Sequence, residues 1–534
     1  MALNNHKKTE LTLLLSLVAS VSLTAQVTPD VPRLVVNIQV DQLRTDYLEA
    51  FAPLYGEDGL KRLMQHGRYY LDCQLPFHSP DRASAAACLS TGASPFDNGI
   101  PSMQWLSRQT LQPVYCVDDA DYAGADTDEK TAPTHLLTTA LSDELEMATG
   151  HLSSVISVAP ERDVAVLLAG HVADGVFWIN NQTGNWCGTT FYGEYPRWPA
   201  LYNQKSPLAK RIGSMTWTPA YEGGLQDFHY FHSSDAKAHD FSHKFAGDRR
   251  YRELKTSALI NEEVALFVDQ CLERSSLGSD HVPDLLNIGL YAGNYMDGTT
   301  VQYPSEMQDT YVRLDRALAH IFSSVEQIVG KDGALFVVSS TGYSNQDKGS
   351  IDPKKYHIPT GTFDMHRANM LLGMYLSAVY GQAKYVMATH GQQIYLDHKL
   401  IEQRQLQLAD VLTRAEDFIS QMDGVRNVYT SQRLAAGSWN KSLERIRGSW
   451  NAKCSGDIII EVNPGWTIAG ETGDNIINHG EAYINYPLIF MGKGIQAERV
   501  STPVSTAAVA PTLSKHLRIR APNGSSEPPL VLKP

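Results

Sequence analysis

The chain has no run of lysines and arginines, no C-x-x-C pair and, beyond its N-terminal segment, no apolar stretch long enough to cross a bilayer. Each absence removes a class of function. Forty-five Lys and Arg stand against 58 Asp and Glu, a formal charge of −13. A nucleic-acid-binding surface needs clustered cations for the phosphates, so it is excluded. The six cysteines, Cys73, Cys88, Cys116, Cys187, Cys271 and Cys454, are scattered, which excludes a zinc ribbon. A chain of 534 residues builds its core without disulfide staples, so one or two bridges are permitted and their pairing stays open. Charged residues make up only 19% and hydrophobic ones 43%, the balance of a soluble globular protein. The length allows one large α/β domain or two to three smaller ones.

What is present begins with an export signal. A weakly basic "NNHKK" precedes the apolar "LTLLLSLVASVSL", and "TAQ" offers cleavage after Ala25. The apolar run is short for a membrane span, and no cysteine follows the cleavage site to carry a lipid. The expectation is a signal peptide over residues 1–25, a mature chain over 26–534, and a periplasmic or secreted location, where disulfides are allowed.

The mature chain alternates apolar strands with amphipathic helices. Residues 34–40 read as a buried strand running into Asp41, a carboxylate at the strand end where α/β folds place ligands. "YGEDGLKRLMQHG" has helical periodicity and a glycine stop, and residues 83–90 read as a helix of small residues. "SSVISVAP" and "DVAVLLAG" are short apolar runs, and "GVFWINNQTGNWCGTTFY" reads as a hairpin turning at Asn-Gln-Thr-Gly. "PDLLNIGLYAG" and "GALFVVSST" are core strands flanking a long amphipathic helix, "PSEMQDTYVRLDRALAHIFSSVEQIVG". "GDIIIEVNPGW" and "YPLIFMGKGI" return to strand, and "TAAVAPTLSKHL" closes in a helix. This order implies an α/β fold with a mostly parallel central sheet sandwiched by helices. Residues of about 180–250 and 343–455 interrupt it and are expected to be irregular cap insertions.

Several stretches, in order, resemble the alkaline phosphatase superfamily. They include "VDQLRTDYL", "STGASPFDNGI", "PDLLNIGLYAGNYMDG", "YVRLDRALAHI", "QQIYLDHKLIE", "EVNPGW", "HGEAYINYPLIFMGKGI" and "VAPTLSKHLRIRAPNG". The likeness is strongest to the branch of secreted bacterial phosphate-irrepressible alkaline phosphatases and nucleotide pyrophosphatase/phosphodiesterases. It covers almost the whole mature chain and implies that family's fold with cap insertions. It also implies a two-zinc site in which a Ser or Thr attacks phosphorus while six Asp, Glu and His ligands hold the metals.

Carried over residue by residue, the family's site is depleted. The first metal carboxylate falls on Asp41, but the nucleophile falls on Arg82 in "SPDRASAAACLSTG". A guanidinium stays protonated and cannot attack phosphorus. The branch's polar Asn falls on Met103, and the next ligand pairs fall on Asn294 and Gly298, then on Thr341 and Gly342. The last His falls on Asn485, and the phosphate-binding Lys and Arg fall near Glu161 and Asp163. Asp41 is the one surviving metal candidate, and Arg82 is expected to pair with it.

The resemblance therefore implies a degenerate member with no intact catalytic residue and no cofactor expected. The expected role is that of a catalytically inactive binding or interaction protein of the envelope, with a protein partner or small ligand. Glu161 and Asp163 beside Arg82 suit a zwitterionic or cationic ligand better than a phosphate dianion. The alternative is a metal-dependent phosphomonoesterase or phosphodiesterase with a rearranged site. It would draw zinc ligands from His229, His232, His239, His243 or His479 and a nucleophile such as Ser84.

Overall fold

The computed structural model describes residues 31–220, 240–298, 302–344, 359–437, 440–470, 475–477 and 484–532. The proposed signal segment lies outside the described residues. A ten-stranded sheet forms the centre. In chain order its strands are β1 (Leu34–Asp41), β2 (Arg68–Tyr70), β3 (Gly124–Ala125), β4 (Val155–Val158), β5 (Gly175–Ile179), β6 (Trp186–Thr189), β7 (Asp284–Tyr291), β8 (Ala334–Ser340), β9 (Leu488–Gly492) and β10 (Glu498–Val500). Across the sheet they run β10-β2-β9-β8-β1-β7-β4-β5-β6-β3. The central five, β8, β1, β7, β4 and β5, are parallel. Antiparallel pairings begin at β9 on one side and β6 on the other. The expected mostly parallel α/β sheet is therefore the architecture of the chain.

Strand β1 explains the layering. All eight of its residues are buried. Alternate side chains point to opposite faces. Val36, Ile38 and Val40 join a cluster with Phe267 of helix α4 (Leu259–Arg274) and Leu318 of helix α5 (Pro304–Val329). Val35 joins a second cluster with Ala83 of helix α1 (Arg82–Thr91) and Val166 of helix α2 (Arg162–Ala169). Burying each of these side chains stabilises the fold by about 1.5–3 kcal/mol relative to exposure. Burial on both faces encloses the polar Asn37 and Gln39 as well, so the alternation in this strand marks no solvent-facing side.

The run "DVAVLLAG", which the sequence marks only as a short apolar run, is helix α2. Residues Asp163–Ala169 are all buried, so the polar face that would reveal a helical period is missing. Helix α1 lies against it, and Ser90 Oγ donates to the Leu167 carbonyl at 2.7 Å. Alanines in the middle of α1 leave no side-chain bulk to hold the two backbones apart.

The region 343–455 is also corrected, since it is not irregular. It carries helices Met365–Tyr380 and Leu408–Ile419, which share an apolar cluster with strands Val386–His390, Gln393–Leu396, Val425–Thr430 and Ile458–Val462. The four strands form their own antiparallel sheet. Arg108 ties this layer to the main body by two bonds to the buried Asp457 at 3.1 and 3.0 Å, and His398 holds the same carboxylate from within the layer at 2.9 Å. All six cysteines are buried and unpaired, so the fold is built without a bridge.

Candidate functional site

The carboxyl ends of β1, β7, β8 and β4 open onto one edge of the sheet, where α/β folds bind ligands. Asp41 ends β1 there and is 8% exposed. Thr341, just past β8, donates its hydroxyl to Asp41 Oδ1 at 2.9 Å and accepts from the Gln42 amide at 2.9 Å. Tyr343 gives a second side-chain hydrogen bond to Asp41. Burial pushes the Asp41 carboxyl up to about 6, against the pull of Arg82 and the two hydroxyls.

Arg82 is the first residue of helix α1. Asp81 caps that helix by accepting the Ser84 amide at 2.9 Å, and its other oxygen accepts the Met103 amide at 2.5 Å. Arg82 does not pair with Asp41 as expected. Its Nε lies 3.1 and 3.0 Å from the two oxygens of Asp163, and its Nη1 lies 3.8 Å from Glu161. The reason is topological. Glu161 and Asp163 stand at the start of α2, and the close packing of α1 on α2 brings the two helix beginnings together. Lys255, at the end of helix α3 (Arg250–Lys255), completes the chain of charges with Nζ 3.2 Å from Glu161 and 2.7 Å from the Ile179 carbonyl. Burial alone would raise Glu161, but Lys255 and then Arg82 hold it down at about 2.

The other positions singled out by the sequence are dispersed in role. Met103 packs its side chain against the apolar cluster under α1. Asn294 is buried, and its carbonyl accepts the Tyr291 hydroxyl at 2.7 Å. Gly298 follows the turn Tyr295–Asp297. Gly342 has φ +69°, a left-handed conformation that suits glycine, and sits against Leu75. Asn485 accepts the Thr45 amide through its carbonyl at 2.9 Å. Ser84 is fully buried and bonded to Asp81, so it serves the helix cap and is closed to substrate. His243 bonds Glu306 at 2.7 Å and packs on Tyr295 at 4.5 Å, within the cap. His229, His232, His239 and His479 lie outside the described residues. Lys255 and Tyr343 were missed by the sequence reading, since nothing local separates them from other cap and loop residues.

The described residues do not fit a zinc pair. Among them, no group of three or more His, Cys, Asp or Glu could hold a metal ion. Asp41 is committed to two hydroxyls, and a guanidinium stands beside it. What the site offers is a carboxylate that titrates near neutrality next to a buried cation.

These shifts fix a pH dependence. Glu161 has a lowered folded value, so its contribution is present above about pH 4.5 and is lost as pH falls towards about 2. Asp41 has a raised value, so the native state holds its proton more tightly than the unfolded chain. Stability then declines as pH rises from 3.8 to about 6, by about 3 kcal/mol. Asp284, raised to about 6, and Glu146, raised to about 7, act in the same direction. Thermal unfolding is therefore expected at a higher temperature at pH 5 than at pH 8. A Tm that climbs steadily from pH 5 to pH 8 would contradict these environments.

Comparison with known proteins adds the family context. The model of the family "type I phosphodiesterase / nucleotide pyrophosphatase" matches residues 35–484. Alkaline phosphatase PafA of Elizabethkingia meningoseptica is 28% identical over 538 residues, covering 96% of this chain and 97% of its own. A Myroides odoratus protein named calcium-transporting ATPase is 27% identical over 525 residues, covering 93% and 94%. The crystal structure of wild-type PafA superposes with a TM-score of 0.78 at 26% identity, covering 93% of this chain and 98% of that one. These findings correct the expectation of a catalytically inactive binding protein. End-to-end relatives named as alkaline phosphatases point to phosphoester chemistry. Counting lost zinc ligands tests one catalytic device, and it overlooks a carboxylate of raised pKa beside a guanidinium.

Proposed function

Because the chain belongs to the type I phosphodiesterase / nucleotide pyrophosphatase family, we propose that it hydrolyses phosphate esters with a rearranged site. The observation that carries the reading is Asp41, titrating at about 6 at the end of β1 within electrostatic reach of Arg82. A general base is most effective when its pKa lies near the working pH. Above pH 6 the ionised Asp41 takes a proton from an attacking water. The water oxygen bonds to phosphorus, the ester P–O bond breaks, and the leaving alkoxide takes the electron pair and is protonated by solvent. The fixed Arg82 guanidinium neutralises charge on the phosphoryl oxygens as it develops. Thr341 and Tyr343 hold the carboxylate in place. No step is routed through a metal, since the described donors do not fit one.

Export to the periplasm or beyond belongs to the same proposal, supported by the basic-then-apolar N-terminus ending near Ala25. Among the described residues, no helix is long and apolar enough to cross a membrane.

The test is release of 4-nitrophenolate from bis(4-nitrophenyl) phosphate and 4-nitrophenyl phosphate by the purified chain, with chelator and with added zinc. Turnover that survives the chelator and rises through about pH 6 is expected. Release no faster than that of the Asp41→Asn variant under both conditions would overturn the proposal. Release only with zinc would reject the metal-free route.

A further inference from the structure

The turn that leads into helix α1 pairs a serine with a histidine. Ser79 is exposed, and its Oγ lies 2.7 Å from Nδ1 of the half-buried His78. Ser79 also has φ +48°, in the left-handed region that residues other than glycine rarely adopt. The next residue is Pro80, and a residue before proline is normally driven to extended backbone. A hydroxyl that only decorated a loop would not need this conformation.

The strain is held from both sides. Ahead of Ser79, Phe77 is 1% exposed in a cluster with Leu75, Ala85 and Cys88. The His78 amide donates to the Arg445 carbonyl at 3.1 Å. Gly448 packs so closely here that a Cβ on it would lie 3.0 Å from the Phe77 Cβ. Beyond Ser79, Pro80 fixes its own φ, and Asp81 is anchored by the Ser84 and Met103 amides. Strained backbone that its surroundings over-determine collects where a reactive group must be presented. A sharp, strained turn that exposes a serine Oγ, with an imidazole in hydrogen-bond reach, is the arrangement of an activated nucleophile.

We propose that Ser79 is a nucleophile for uncharged carboxylic esters, with His78 as its base. The turn itself sets the class of electrophile. "LPFHSP" carries no cation besides the imidazole to receive a phosphoryl anion, whereas a carboxylic ester is neutral. The Ser79 amide has no acceptor among the described residues and can donate to the oxyanion as it develops. Ser79 Oγ bonds to the carbonyl carbon, and its proton passes to His78 Nδ1. The ester C–O bond breaks, and the alkoxide leaves with the electron pair and takes that proton. Water then repeats the sequence. Its oxygen bonds to the acyl carbon, its proton passes through Nδ1 to Oγ, and Oγ leaves with the electron pair as the carboxylic acid is released. Pro80 has no N–H, so the oxyanion lacks the donor that the residue after a nucleophile can supply, and the reaction is confined to esters of good leaving groups. The pair acts without Asp41, so its failure leaves the phosphate-ester reading as it stands.

The experiment incubates the whole mature protein with 4-nitrophenyl acetate, quenches in acid and locates the acetyl group by intact mass and peptide mapping. One acetyl per chain is expected, on the peptide that holds Ser79. His78→Gln should acquire it at least about a hundredfold more slowly. Ser79→Gly removes the hydroxyl and keeps the backbone, because glycine adopts φ +48° without cost. It should lose the acetyl while unfolding at a temperature no lower than that of the wild type, which separates lost chemistry from lost folding. Acetyl found only at other residues, or no acetyl beyond the level in Ser79→Gly, would overturn the inference. Acetylation of His78→Gln at the wild-type rate would overturn it too.

Discussion

Asp41→Asn is expected to lower kcat by about 10²–10⁴-fold while making the protein more stable at pH 8. The amide has the shape of the carboxylate and still accepts from Thr341, whose hydroxyl lies 2.9 Å away. It cannot take a proton from water, so the limb of the rate profile near pH 6 should vanish and leave KM little changed. The stability gain comes from the same burial that tunes the base. An ionised Asp41 at 8% exposure costs about 3 kcal/mol at pH 8 relative to the unfolded chain, and the amide carries no charge to desolvate. Part of that gain is offset, because Arg82 loses an attractive neighbour and the amide N–H groups need acceptors. A buried group that weakens the fold in its active protonation state is the usual signature of a functional site. Steady-state kinetics over pH 5–9 and thermal unfolding at pH 8 check the two halves separately. A variant retaining half the wild-type kcat with the same pH profile would reduce Asp41 to a structural carboxylate.

How far the sequence reveals this site depends on what local patterns encode. Strand β1 and its terminal Asp41 were legible because the β-branched Val35, Val36, Ile38 and Val40 favour a strand over residues 34–40, and the segment that follows has helical period. Helix α1 was legible from its run of small residues over 83–90 and the break that follows, while its Asp81 cap emerges only in the structure. Helix α2 was not, because burial on every side erases the periodicity that distinguishes helix from strand. The first three strands of the small antiparallel sheet, Val386–His390, Gln393–Leu396 and Val425–Thr430, were read as irregular because they are only four to six residues long, whereas Ile458–Val462 was legible as a strand.

The site's polar network was the least legible part. Arg82, Glu161 and Asp163 were placed together by resemblance, yet which carboxylate would hold the arginine was misjudged. That choice follows from the contact of α1 with α2, a tertiary fact. Lys255 belongs to a polar, charged segment, "RRYRELKTS", in which nothing marks one lysine as buried. Thr341 was noticed as a position lacking a ligand. Its hydroxyl bond to Asp41 emerges only when β8 lies beside β1. Absence of a known side chain is visible in a sequence, whereas a new partnership needs the fold.

Arg82→Met is expected to destabilise the protein by about 3–5 kcal/mol, the cost of leaving a buried carboxylate without its cation. Asp163 is fully buried, and apart from Arg82 its hydrogen bond among the described residues is the Val164 amide at 3.0 Å. Glu161 keeps Lys255, so the loss concentrates on Asp163. Arg82→Lys should recover only part, because an ammonium cannot reach both Asp163 oxygens and Glu161 from one planar group. Adding Asp163→Asn to Arg82→Met removes the stranded charge, and the double variant should recover most of the stability. Denaturant unfolding of wild type, Arg82→Met, Asp163→Asn and the double variant gives the coupling directly. A cost below about 1 kcal/mol for the single variant would place the pair among weakly contributing surface ion pairs. The double variant also separates folding from chemistry. It restores the fold without restoring a guanidinium, so turnover should stay low if Arg82 acts on the phosphoryl group. Turnover returning with stability would mean that Arg82 serves only to neutralise Asp163.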